Sequence, residues 1–85
     1  MEGKFPLRSD LAWKKVDEAY VLTDKSGTDF SLDAIAFLVW IQCDGKTSVE
    51  TVVDVFSAGG NRDIVKAAIV SVFEKLTVMG MITWV

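Results

Sequence analysis

The sequence contains no histidine and a single cysteine, Cys43, in 85 residues. Without histidine there is no Ser-His or Cys-His pair for nucleophilic catalysis. The two scarcities together leave too few ligands for a zinc site. One cysteine cannot close an internal disulfide, which fits a reducing, cytoplasmic setting. Long apolar runs are also missing. The longest, Ala34–Ile41, has 8 residues, far short of the roughly 20 that a membrane span needs. The N-terminal MEGKFPLRSD has no apolar stretch and is not read as a signal peptide. Gly59-Gly60 is not followed by Lys-Ser/Thr, so no phosphate-binding glycine loop is present and no cofactor is expected. Basic residues are not in excess either. Nine Lys and Arg face 12 Asp and Glu, giving a net charge of −3, opposite to the basic footprint of a nucleic-acid binder.

Apolar residues are plentiful, at 51 %, and the mean hydropathy is +0.33. A chain of this length makes one domain with a small core. Some of the apolar excess can remain as surface that meets a partner. Residues 1–9, with Gly3, Pro6, Lys4 and Arg8, read as an N-terminal arm on which Phe5 and Leu7 could dock. Residues 10–85 read as the domain.

Residues 11–16 (LAWKKV) and 19–23 (AYVLT) are rich in aromatic and β-branched types and read as strands joined by Asp17-Glu18. Asp24-Lys25-Ser26-Gly27 reads as a second turn, and Thr28 to Ser31 as a third strand. The continuous apolar run 32–43 suits a buried helix, with Ser31 as its N-cap and Asp33 in its first turn. Asp44-Gly45 could close a hairpin or separate two helices. Thr47-x-x-Glu50 reads as a capping box, followed by Val49, Val52, Val53 and Phe56 at helical spacing. The dipeptide is therefore expected between helices, with Gly45 just past the end of the first. Ser57-Ala58-Gly59-Gly60 ends the second helix. Asn61 caps a third, over 62–79, whose inner stripe is Val65, Ala68, Ile69, Val72, Leu76 and Met79. Gly80 stops it, and residues 81–85 are extended. The expected fold is α+β: a small winged helix-turn-helix-like domain, with a three-stranded antiparallel N-terminal sheet followed by three helices.

Several residues in this order resemble the PqqD family. They are Trp13, the strand Tyr20-Val21-Leu22, Leu32 opening a helix, Trp40, Asp44-Gly45 followed by Thr47 and Val49, and Leu76-x-x-x-Gly80. PqqD is the small protein of pyrroloquinoline quinone biosynthesis, and its domain is also called the RiPP recognition element. The resemblance spans residues 10–83. Residues 24–31 lack the proline and acidic pair of the quinone-pathway members, so it implies a stand-alone relative and names no pathway. It implies a non-enzymatic domain that binds the leader of a ribosomally made precursor peptide. In the family the leader adds as a strand to the edge of the third strand, against the third helix. The family then presents it to a modifying enzyme, often a radical SAM protein.

The residues implied here are Thr28, Asp29, Phe30 and Ser31 on the edge strand, and Val70 and Phe73 as a groove floor on the last helix. Arg62 and Lys66 would pair acidic leader residues. On the residues alone, Phe73 can equally be core, and the two cations can be solvated helix charges. Cys43 at the end of an apolar helix reads as an inert buried thiol. Trp13, Trp40 and Trp84 read as packing, with Trp84 a possible dimer contact. Two other readings stay open. One is a winged-helix DNA-binding regulator using the third helix, though the nearby Asp33, Asp44, Glu50 and Asp54 would repel phosphate. The other is a general protein-interaction module, including a homodimer paired through the open third strand.

Overall fold

The computed structural model describes residues 5–85. Pro6–Arg8, within the stretch read as an arm, forms strand β1. Strands β2 (Ala12–Val16), β3 (Ala19–Thr23) and β4 (Asp29–Leu32) follow as an antiparallel meander in the order β2-β3-β4. The β2–β3 turn is Asp17-Glu18. Asp17 takes φ 55, a left-handed conformation that Asp tolerates better than most residues. The β3–β4 turn is built around Asp24. Its Oδ1 accepts from the Ser26 amide at 2.9 Å, the Thr28 amide at 2.9 Å and the Ser26 hydroxyl at 2.6 Å. These bonds, the Ser26 hydroxyl foremost, hold the Asp24 carboxyl below its ordinary pKa. Gly27 supplies the positive φ, 85°, that closes such a turn.

Helices α1 (Ala34–Ile41), α2 (Val49–Ser57) and α3 (Arg62–Val78) come next. Two caps differ from the sequence expectation. Ser31 does not cap α1, because it is still in β4, opposite Val21. The chain leaves the sheet two residues later, and Asp33 is the cap, accepting from the Ala36 amide at 2.8 Å. Thr47 does not cap α2 either. Its amide donates to Asp44 Oδ1 at 2.8 Å, beside the Lys46 amide at 2.9 Å. Ser48 is the cap, accepting from the Thr51 amide at 3.1 Å. The α3 cap is Asn61, as expected, and Gly80 follows the helix at φ 73.

The last strand, β5 (Ile82–Trp84), pairs antiparallel with β1, from Pro6 opposite Trp84 to Arg8 opposite Ile82. The other side of β1 meets the α1–α2 connection. The Arg8 amide donates to the Cys43 carbonyl at 2.7 Å, and the Gly45 amide to the Pro6 carbonyl at 2.9 Å. Asp44-Gly45 thus separates two helices and also borders a strand. The core lies between the meander and the helices. Leu22, Phe37, Val53, Phe73 and Leu76 are among its buried members. Trp40 is 2 % exposed, and its indole N–H donates to the Met81 carbonyl at 3.0 Å. That satisfies the one polar atom the ring takes inside. The whole is an α+β, winged helix-turn-helix-like domain. Among the described residues no helix is long and apolar enough to cross a membrane.

Candidate functional site

The meander has two outer strands, β2 and β4. Which backbone groups β4 leaves open follows from its register. The Asp24 amide donates to the Thr28 carbonyl at 3.0 Å, so Asp24 and Thr28 form a hydrogen-bonded pair. Along an antiparallel ladder such pairs alternate with non-bonded ones. Phe30 with Leu22 and Leu32 with Tyr20 are then the bonded pairs. Asp29 and Ser31 turn their N–H and C=O groups outward. Side chains alternate as well. Phe30 is half-buried and Leu32 buried on the helix side, while Asp29 and Ser31 are exposed on the other face.

The two outer strands are guarded differently. β2 carries Lys14 and Lys15, both exposed, and lysine on an edge strand discourages further pairing. The charge on β4 is that of Asp29, whose Oδ1 is tied back to the Thr23 hydroxyl at 2.6 Å. Of the two, β4 is the edge open to an added strand.

The α3 residues singled out in the sequence are not gathered into one groove. Arg62 donates to Asp54 at 3.0 Å and to Glu50 at 2.5 Å, and Lys66 lies 2.9 Å from the other Glu50 oxygen. Both cations pair with carboxylates of α2 at the surface, while their side chains stay partly exposed. Arg62, and after it Lys66, pulls the Glu50 carboxyl down to about 2, while Glu50 and Asp54 raise Arg62 further. Phe73 has no exposed surface. It packs at 5.7 Å from the Trp84 ring and cannot floor an open groove. Val70 is half-buried. Trp84 is used within the chain, its N–H donating to the Thr77 hydroxyl at 2.9 Å. On the far side of the buried Ile69–Phe73–Leu76 stripe, Val65 and Val72 sit half-buried against the core. The sequence reading took them as inner-stripe residues. Glu50 and Asp54, one helical turn apart on α2, were the signal that Arg62 and Lys66 already had partners.

Other features are bystanders. The Cys43 thiol is pushed up to about 12, mainly by burial, so it is protonated and unreactive at neutral pH. Two open clefts, about 380 and 540 Å³, lie along β2 and α1 and not along β4. Trp13, half exposed, lines the first of them and covers Phe37 at 4.8 Å between ring centroids.

No family model matches the sequence, and no curated protein matches it. Among solved structures, TbiB1 in complex with the TbiA(beta) leader peptide matches with a TM-score of 0.72. The fold is shared with TbiB1. The match covers 89 % of this chain and 93 % of TbiB1, at 24 % sequence identity. At that identity TbiB1 establishes the architecture alone, with nearly its whole length inside the alignment.

Proposed function

We propose that this chain is a non-enzymatic peptide-binding domain of the RiPP recognition type. It takes up the leader of a ribosomally made precursor by strand addition to β4 and presents it to a modifying enzyme, such as a radical SAM protein. The observation that carries this reading is the open β4 edge, with the outward backbone groups of Asp29 and Ser31, in a fold shared with a protein solved together with a leader peptide. Backbone bonds along such an edge give affinity, and the side chains beside it give selectivity. The carboxylates of Glu50 and Asp54 beside Arg62 and Lys66 speak against a DNA-reading role for α3, since they would repel phosphate.

The test is isolation of the chain from its native host, with mass spectrometry that retains short peptides. Wild type is compared with Ser31→Pro, which removes an outward N–H and spares the β3–β4 ladder. A leader-like peptide and its enzyme should accompany wild type, and Ser31→Pro should lose the peptide. A nucleic acid in their place, bound with a steep salt dependence, would sink the proposal.

A further inference from the structure

The clefts along β2 and α1 take no part in strand addition, and α1 itself is apolar on every side. Its sequence, AIAFLVWI, contains no charged residue. A helix of that kind is normally buried all round. Here Phe37, Val39 and Trp40 are buried, while Ala34, Ile35 and Leu38 are exposed. Ile35 keeps 53 % and Leu38 44 % of its surface open. Helical spacing puts Ala34, Leu38 and the half-buried Ile41 on one stripe, with Ile35 beside it. Trp13 and Ile41 share the wall of the first cleft, and Ala34 and Ile35 that of the second. Leu38 lies between them on the stripe.

The charges at the two ends of this face decide what covers it. Asp10, Asp44 and Arg8 line the cleft at the C-terminal end of α1. Glu18, Asp33 and Lys15 line the one at its N-terminal end. Arg8 is turned onto the Ile41 and Cys43 carbonyls, and Lys15 lies over the Tyr20 ring. With two carboxylates and one cation each, both ends are net negative. Along a helix they stand about 15 Å apart. A second copy would set a negative end on a negative end, whichever way the two α1 helices ran, and like charges oppose such a pairing. An anionic lipid surface would be repelled in the same way. A basic protein segment matches both the apolar stripe and the charged ends.

Resting on the reading that the domain hands its peptide to an enzyme, we infer that α1 and β2 form the dock for that enzyme. The enzyme enters as an amphipathic helix with Lys or Arg at both ends of its apolar face. Its apolar residues, three and four positions apart, lie along Ile35, Leu38 and Ile41 beside Trp13. Its basic residues, about three turns apart, meet the two acidic ends. The peptide edge β4 is two strands away from Trp13, so peptide and enzyme occupy separate surfaces and each binds without the other.

The experiment places photoreactive p-benzoylphenylalanine at position 38 of the full chain. The chain is irradiated in a lysate of its native host, and the cross-linked segment is sequenced by mass spectrometry. The segment should belong to the enzyme that accompanies the chain, and should show apolar residues three and four apart between Lys or Arg. Made as a synthetic peptide, it should bind Leu38→Gln about fivefold more weakly than wild type. Asp10→Asn combined with Glu18→Gln should weaken it about two- to fivefold at low salt, with the gap closing at high salt. Asp33 and Asp44 stay unchanged because they also hold backbone amides. The changed side chains are all exposed, so circular dichroism should match wild type. Ser31→Pro should lose the precursor peptide and keep the cross-link.

A cross-link to a second copy, to lipid, or to a segment without flanking basic residues overturns the inference, as does none at all. If Ser31→Pro loses the cross-link together with the peptide, the enzyme is held through the peptide. The α1 dock then falls while strand addition stands. If Ser31→Pro keeps both, strand addition itself fails.

Discussion

Neighbouring prolines on β4 should behave differently, and the contrast tests the register. In Phe30→Pro the lost N–H is the one directed at Leu22. Leu22 is fully buried, and its orphaned carbonyl costs about 1–3 kcal/mol. Losing a half-buried phenyl ring adds about 1 kcal/mol, half the value of full burial. The sum is about 2–4 kcal/mol, or roughly 10–25 °C in Tm for a domain of this size. In Ser31→Pro the ladder to β3 is untouched and the side chain is exposed. Its cost is the mismatch between proline's fixed φ and that of a strand, about 1 kcal/mol or less. Urea unfolding followed by far-ultraviolet circular dichroism should therefore separate the variants by at least about 1 kcal/mol. Phe30→Ala serves as the control for the ring alone. Bound-peptide affinity should move the other way. Ser31→Pro folds but loses one backbone bond to ligand, worth about 1 kcal/mol or roughly fivefold in Kd, and its ring carbon stands where the ligand's carbonyl would approach, which carries the loss well beyond fivefold. If Ser31→Pro is as unstable as Phe30→Pro, the ladder is one residue out of register, and the assignment of outward groups is wrong.

Other measurements reach the remaining parts of the fold. Ser48→Ala should cost about 1 kcal/mol of stability, and Thr47→Ala, whose side chain is not the cap, much less; the reverse order in urea melts would restore the capping box. The Glu50 carboxyl should titrate near 2 by carbon-detected NMR. Its folded value lies below the ordinary 4.5, so the α2–α3 ion pairs support folding above about pH 4.5 and are lost as pH falls toward 2; a midpoint near 4.5 would deny the pairs seen with Arg62 and Lys66. Cys43 should resist a thiol reagent at pH 8 in the native protein and react at once in denaturant; fast native labelling would contradict its burial. Gly45→Ala should destabilise by about 1–2 kcal/mol, since φ is 76 and a Cβ would lie 3.3 Å from the Leu7 side chain; an unchanged melting curve would deny the tight approach of β1 to this turn.

The element order was legible because each segment advertises itself locally. The strands are rich in aromatic and β-branched residues, α3 carries a long apolar stripe, and Asn61 and Gly80 mark its ends. What the sequence hid lies in choices between adjacent candidates and in distant pairings. Ser31 and Asp33 are both good caps, and only the length of β4 decides between them. Thr47 and Ser48 likewise differ only in what Asp44 does to their amides. Pro-Leu-Arg is too short to alternate, and its partner, β5, lies at the opposite end of the sequence, so nothing local marks it as a strand. The edge residues Thr28 to Ser31 could be picked out by a turn followed by a β-prone run. Which of them turns outward depends on the one hydrogen bond that sets the ladder's phase. The α3 residues misled for a different reason. A helical wheel separates buried from flanking positions, but it cannot say that α2 fills one flank with carboxylates.

The pairing of β1 with β5 brings the two ends of the described chain together. The Phe5 amide donates to the Val85 carbonyl at 3.0 Å, and the Val85 amide returns a bond to Phe5 at 2.8 Å. Residues 5 and 85 thus leave the fold side by side, as the two stalks of an inserted module do. A host protein could carry this domain within a surface loop with no strain on the loop's ends. A short bridge from 85 to 5 would equally allow the backbone to be opened elsewhere, at the exposed Gly59-Gly60 for example, and β4 would keep its place in the sheet.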